Sequence, residues 1–354
     1  MTHSLLEKLA LTVPLVQAPM SNVGTPALAA AAANAGALGS IAVGALDANA
    51  AREAIRAVRA ATSRGFAVNV FCHRPPRADP ARESAWLAHW ASSFGRFGAL
   101  PPASLRPAYG SFLDGDAVLD VLLAERPAVV SFHFGLPGAS RIARLRAAGA
   151  VLFAAVTSVA EGRAAEAAGV DAVVAQGIEA GGHRGTFDPA TSDEGLGTLV
   201  LTKLLARTLA IPVIAAGGIM DGAGIAAALL AGACAAQLGT AFIACPETAA
   251  DAAFRADLLA TPPLGTMMTD AISGRAARAL RNAFALAADD RGVAAVPEYP
   301  IAYDAAKAVM AAARKAGETG YKVHFAGQGA PLARALPAAR LVEVLREELA
   351  AARG

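Results

Sequence analysis

The sequence predicts an α/β protein, a (β/α)8 (TIM) barrel with a small helical cap, on three observations. Short apolar runs rich in Val, Ile and Ala recur over residues 12–260, each parted from the next by an alanine-rich helical pattern. The runs do not alternate polar with apolar residues, as expected of parallel strands covered on both faces. Their polar residues gather at the C-terminal ends, the side of a barrel whose loops carry chemistry. Periodicity alone leaves a doubly wound open sheet as the competing architecture.

The first strand is expected at Leu15–Pro19, ending in Gln17-Ala-Pro-Met20. The uncharged stretch Val23–Leu46 is long enough to imitate a membrane span. Asn34 and the breaks at Pro26, Gly36, Gly39 and Gly44 divide it instead into a helix, a turn and the second strand, Leu38–Ala42. The third strand, Phe66–Val70, ends in Asn69-Val-Phe, and an insertion at about 72–115 follows with Trp86, Trp90 and Tyr109. The fourth, Ala128–His133, runs into Ser131-Phe-His-Phe-Gly-Leu-Pro137. After the fifth, Val151–Val156, Ser158-Val-Ala-Glu161 has the form of a capping box. The sixth, Ala172–Gly177, opens Gln176-Gly-Ile-Glu-Ala-Gly-Gly-His-Arg-Gly185. Pro212–Gly217 is the seventh; Asp221 then opens a helix over Gly222–Ala233, with Gly232 near its end. The eighth, Ala235–Thr240, carries Gln237-Leu-Gly-Thr-Ala-Phe242. Residues 261–354, with helical patterns near Ile301–Ala316 and Ala330–Ala352, form the expected cap and tail beyond a barrel of residues 12–260.

Composition narrows the class. The chain is 55% hydrophobic and 17% charged, below the roughly 25% charged of an ordinary soluble protein, which argues for a large core and against disorder. A formal charge of +2 with scattered arginines suggests no nucleic-acid surface. Cys72, Cys234 and Cys245 are odd in number and form no CxxC pair, so no disulfide framework is expected and a cytoplasmic location fits. The first residues lack a secretory pattern. No metal is expected, because no His/Cys/Asp/Glu set has ligand spacing. The expected partners are small molecules, with no nucleic acid and no membrane, in a monomer or homodimer.

The strand ends supply the candidate chemistry. Gly217 and Gly218 would let backbone N–H groups approach a phosphate, and Thr240 adds a hydroxyl, as in barrels that hold phosphate after strands seven and eight. Glycines that merely make tight turns are the alternative. Asn69 and Gln176 are amides suited to the edge of a heterocycle, or to bonding nearby backbone. His183, set among glycines, could take a proton from a carbon acid or stabilise an anion. His133 is equally consistent with a structural histidine; His3, His73, His89 and His324 have no supporting context. In Pro297-Glu-Tyr-Pro-Ile-Ala-Tyr-Asp-Ala-Ala-Lys307, Tyr303 and Lys307 share a helix face after Tyr299. An ordinary amphipathic surface helix would read the same way.

At these residues the sequence resembles the nitronate monooxygenase (2-nitropropane dioxygenase) family, in its bacterial class I form. Besides the motifs above, Pro26-Ala-Leu-Ala-Ala30 and Ile211-Pro-Val-Ile-Ala-Ala-Gly-Gly-Ile219 match, in the family's order. The resemblance implies a barrel binding FMN, with Met20, Asn69, Gln176, Gly181, Gly217, Gly218, Gln237, Leu238, Gly239 and Thr240 at flavin-contacting places. It makes His183 the catalytic residue and puts Tyr109, His133, Tyr299, Tyr303 and Lys307 around the substrate. Ala223 is a departure, since related sequences often carry arginine there. The implied activity is oxidation of an alkyl nitronate, such as propionate 3-nitronate, by dioxygen through a flavosemiquinone, giving a carbonyl compound with nitrite or nitrate. The alternatives are an NAD(P)H-dependent quinone or enoyl-thioester reductase on the same barrel, or a non-redox phosphate-ligand barrel.

Overall fold

Eight parallel strands close into a ring in the computed structural model, which describes residues 2–354 and, in the first helix, side chains only from Leu5 onward. In chain order the strands are β1 (Leu15–Gln17), β2 (Gly39–Ala42), β3 (Phe66–Phe71), β4 (Val129–His133), β5 (Val151–Val156), β6 (Ala172–Gln176), β7 (Gly182–His183), β8 (Val213–Ala216), β9 (Ala235–Leu238), β10 (Thr266–Thr269) and β11 (Ala277–Leu280). All but β7, β10 and β11 form one sheet in the order β1-β9-β8-β6-β5-β4-β3-β2. A parallel bridge between Val16 and Leu38 joins its two ends. There Gln17 N–H donates to the Leu38 carbonyl and Leu38 N–H to that of Leu15, each at 2.9 Å. The architecture is therefore a barrel and not an open sheet. Every predicted barrel strand is present, within about two residues of its expected bounds.

Local chemistry explains the connections. Ser158 caps the helix Val159–Ala167 by accepting from Glu161 N–H at 3.2 Å. The carboxylate of Glu161 turns to Thr157 and to Phe187 N–H, so only half of the predicted capping box forms. Asp221 caps Gly222–Leu230 through Gly224 N–H at 2.7 Å. Gly232 then turns the chain with φ +111°, a conformation that glycine adopts without steric cost.

The cap has its own apolar core. Trp86, Trp90 and Phe94 of the insertion pack against Phe284, Ile301, Tyr303 and Tyr321 from beyond the barrel. Trp90 stacks on Phe284 with centroids 5.5 Å apart. The helical patterns of the sequence predict only helices here, but β10 and β11 form an antiparallel hairpin whose inner strand also pairs with β7. The signal was weak because β7 is two residues long and β11 carries Arg278 in mid-strand.

The last helix, Ala338–Ala352, lies on the barrel between helices Pro26–Asn34 and Gly222–Leu230, burying Leu341, Val342, Leu345 and Leu349. Only the short helix Thr240–Ile243 follows β9 directly. The C-terminal helix thus fills the eighth place in the outer ring, and the end of the segment read as cap and tail belongs structurally to the barrel. Among the described residues no helix is long and apolar enough to cross a membrane. All three cysteines are buried free thiols.

Candidate active site

At the C-terminal mouth of the barrel, beneath the cap, is a cavity of about 370 Å³. Met20, Asn69, Gln176, Gly181, Gly217, Gly218, Gln237, Leu238, Gly239 and Thr240 line it, with His183, His133, Tyr109 and Tyr303. The structure thus brings together nearly all the residues singled out from sequence. Tyr299 stands just behind the lining, its hydroxyl bonded to that of Tyr109. Lys307 sits exposed at the rim, its Nζ 5.3 Å from the ring centre of Tyr109 and 5.2 Å from that of Tyr303.

The floor has the donors an anion needs. Gly217 and Gly218 adopt φ +125° and +69°, and their N–H groups meet no acceptor among the described residues. Buried or cleft N–H groups without protein partners call for water or ligand. Thr240 Oγ1 accepts from Gly327 N–H at 2.9 Å, which leaves its own proton free for an acceptor. Asn69 Nδ2 is committed to Ser131, at 3.1 Å to its carbonyl and 2.9 Å to its hydroxyl, so the amide offers Oδ1 to the cavity. These groups fit a phosphate and the polar edge of a flat heterocycle. Gln176 serves differently: Nε2 donates to the His183 carbonyl at 2.9 Å and Oε1 accepts from Gly185 N–H at 2.7 Å. Its side chain staples the loop to the end of β6.

That loop is scaffolding around one chemical group. Glu179 accepts from Thr198 N–H and Oγ1, capping the helix Thr198–Thr208 where its dipole favours a carboxylate. Arg184 is buried, pairing with both oxygens of Asp193 and donating to the carbonyls of Gln176 and Gly177. Gly181 is pressed against residues 326–327, where a Cβ would stand 2.4 Å from the Gly327 nitrogen. Among the loop residues that line the cavity, His183 carries the titratable side chain. Its ring is flanked by Phe134, Tyr299 and Phe325 and its Nε2 lies 2.8 Å from Ser273 Oγ.

Burial pushes His183 down from 6.5 to about 3, helped by neighbouring His133 and Arg275. His133 falls to about 4, for the same burial and the same arginine. Its Nε2 donates to the His183 carbonyl at 3.3 Å, since a carbonyl can only accept. Both imidazoles are neutral at pH 7. Burial raises the phenols as well, Tyr303 to about 12. Desolvation lowers Lys307, and no carboxylate lies within 4 Å of it among the described residues.

Sequence reasoning missed several contributors. Arg275 is buried, with its guanidinium 4.2 Å over the Phe134 ring and no carboxylate partner within 4 Å among the described residues. Phe134, at φ +71°, occupies a left-handed conformation disfavoured for an aromatic residue and packs on His133 and His183. Ser273, Lys322 and Phe325 also meet the site. None of these except Phe134 follows a barrel strand, so no strand-end signal marks them. His73, without sequence context, packs edge-on against Tyr299.

Comparisons with known proteins agree with this geometry. The family model described as nitronate monooxygenase matches residues 3–348. A protein named nitronate monooxygenase from Paraburkholderia phytofirmans is 58% identical over 98% of this chain and 95% of its own. Another of that name, from Pseudomonas aeruginosa, is 51% identical over 99% of both. Nitroalkane oxidase from Streptomyces ansochromogenes superposes with a TM-score of 0.89 at 42% identity, covering 98% of this chain and 99% of that one. The chain belongs to the nitronate monooxygenase family of oxidoreductase enzymes.

Proposed function

We propose that this chain is an FMN-dependent nitronate monooxygenase that oxidises alkyl nitronates, propionate 3-nitronate among them, to carbonyl compounds with nitrite or nitrate. When bound, FMN supplies the electron acceptor for the substrate and delivers those electrons to dioxygen. Gly217, Gly218, Gly239 and Thr240 would hold its phosphate, and Asn69 and Gln237 would meet its ring, with Met20 against one face. The observation that carries the reading is the arrangement of charge. A neutral histidine faces the cavity, the unpaired Lys307 lies over the Tyr109 and Tyr303 rings of its lining, and the buried cation Arg275 stands behind Phe134.

An anionic substrate suits that arrangement. Lys307, with the hydroxyls of Tyr109 and Tyr303, would take the carboxylate end of a propionate nitronate by charge-assisted hydrogen bonds. The rings of Phe134, Tyr299 and Phe325 pack against the His183 imidazole and hold it in place. Held near 3, His183 is a weak base for a neutral nitroalkane, which favours substrates that arrive already deprotonated. An anion beside the ring raises its proton affinity, so His183 can gain a proton as the substrate binds and steady its charge.

Anaerobic mixing tests this reading. Purified, yellow protein should show a rapid change in flavin absorbance with propionate 3-nitronate and none with NADH or NADPH. Reduction by NAD(P)H with no response to nitronate would point to a quinone or enoyl-thioester reductase instead. A colourless protein that fails to bind FMN removes both readings. Wild-type turnover by His183→Asn would remove the assigned role of that residue.

A further inference from the structure

The turn between β10 and β11 lies outside the barrel, yet one of its residues touches the reacting histidine. Ser273 Oγ is 2.8 Å from His183 Nε2 and 3.3 Å from the carbonyl oxygen of Arg275. The turn is held firmly. Ser273 and Gly274 N–H groups both donate to the Asp270 carbonyl, at 3.3 and 2.8 Å. Gly274, at φ +89°, packs so tightly on Pro297–Tyr299 that a Cβ would stand 2.2 Å from the Pro297 oxygen. Across the sheet His183 is in register with Ala277, which carries the turn to the loop. Ser273 itself is fully buried.

A serine hydroxyl has one proton to give. The Arg275 carbonyl can only accept, so that proton is spent there, and the contact with the imidazole must be an N–H donated to Ser273 Oγ. Were Ser273 to donate to the ring instead, its lone pairs would face the carbonyl oxygen in a site closed to water. We infer that Ser273 is a positioning residue, which fixes His183 as the tautomer protonated at Nε2 and turns an unprotonated Nδ1 toward the cavity. Nδ1 has no hydrogen-bond partner among the described residues and is not sealed from the cavity.

The consequence for catalysis rests on the nitronate reading above. With a neutral nitroalkane, the α-carbon's proton would pass to Nδ1 and the C–H electron pair to the nitro group, leaving nitronate beside an imidazolium. With a preformed nitronate, Nδ1 would take a proton from solvent and donate it as a hydrogen bond to the anion. In both cases Nε2–H stays on Ser273. An imidazole flipped to the other tautomer would present N–H to the cavity at once and could accept nothing there.

The test reads the tautomer directly. In the full-length flavoprotein labelled with nitrogen-15 histidine, His183 is assigned by the signals lost in His183→Asn. Two-bond proton–nitrogen correlations should show Nε2 protonated and Nδ1 bare. The Ser273→Ala protein should lose that fixed pattern and fall about tenfold or more in kcat/KM for nitronate, within the range expected of acid–base positioning. Its FMN Kd should change by less than about twofold, since Ser273 touches no proposed flavin contact. A proton found on Nδ1 in the wild-type protein overturns the inference, and so do unchanged His183 signals in Ser273→Ala. The tautomer measurement uses no substrate, so it stands or falls apart from the identification of nitronate.

Discussion

At the scale of residues, the segment Glu179-Ala-Gly-Gly-His-Arg-Gly185 divides its labour. Glu179 caps a helix, Arg184 clamps the loop's own carbonyls, and Gly181 makes room for the returning chain. Those tasks tolerate little change. A methyl group at 181 would collide with the backbone of Ala326 and Gly327, and backbone cannot swing aside as a side chain can. Gly181→Ala should therefore shift the loop and weaken FMN binding by about tenfold or more, on the scale of an overpacking strain of 1–3 kcal/mol. Fluorescence titration of the apoprotein checks this, and an unchanged Kd would refute it. Lys307 makes a separate prediction. Lys307→Met should raise KM for propionate 3-nitronate about tenfold or more, as loss of a hydrogen bond to a charged group implies. KM for ethyl nitronate, which lacks the carboxylate, should move far less. Equal effects on both would place Lys307 outside the carboxylate contact.

Among elements, the two-residue strand β7 decides how barrel and cap meet. It hangs from β6 through Gln176 and pairs with β11, so the His183 loop is itself the edge of the cap's sheet. The barrel's outer ring is closed by an element about a hundred positions from the strand it follows in space. Its seat is close-fitting: a Cβ on Gly222 would stand 2.2 Å from Leu349 N, while Gly222 N–H donates to Glu348 at 3.0 Å. Gly222→Ala should push the C-terminal helix outward and cost about 1–3 kcal/mol, seen as a Tm lowered by several degrees. A Tm equal to wild type would show that the helix can shift freely.

Over the whole molecule, the buried histidines predict how stability depends on pH. His73, His133 and His183 all have proton affinities lowered mainly by burial. In the unfolded chain they take protons from about pH 6.5, whereas His133 and His183 resist protonation down to about 4 and 3. The unfolded state then binds more protons, so stability is complete above about pH 6.5 and declines as pH falls below it. Thermal unfolding between pH 7.5 and 5, above the range where most carboxylates titrate, should show Tm falling, with a shallower slope in His183→Asn. A flat profile over that interval would contradict the burial of these rings.

The sequence by itself determined the run of parallel strands with their helices and the face that carries the polar strand ends. Unbroken apolar strands, capped helices and polar strand ends are local properties, and a parallel sheet places every such end on one face. Most of the candidate site was legible for that reason, from Asn69 after the third strand to Thr240 after the eighth. Tertiary structure alone decided the rest. Closing the ring needed the bridge between Val16 and Leu38, and filling its eighth helical place needed a segment from the far end of the chain. Ser273 and Arg275 reach His183 only because β7 pairs with β11, a contact between residues about ninety positions apart whose pattern no period announces. Whether Gln176 faces a ligand or braces its loop was likewise a matter of which atoms came within hydrogen-bonding distance. Periodicity reports the face a residue occupies; partner and charge environment follow from packing.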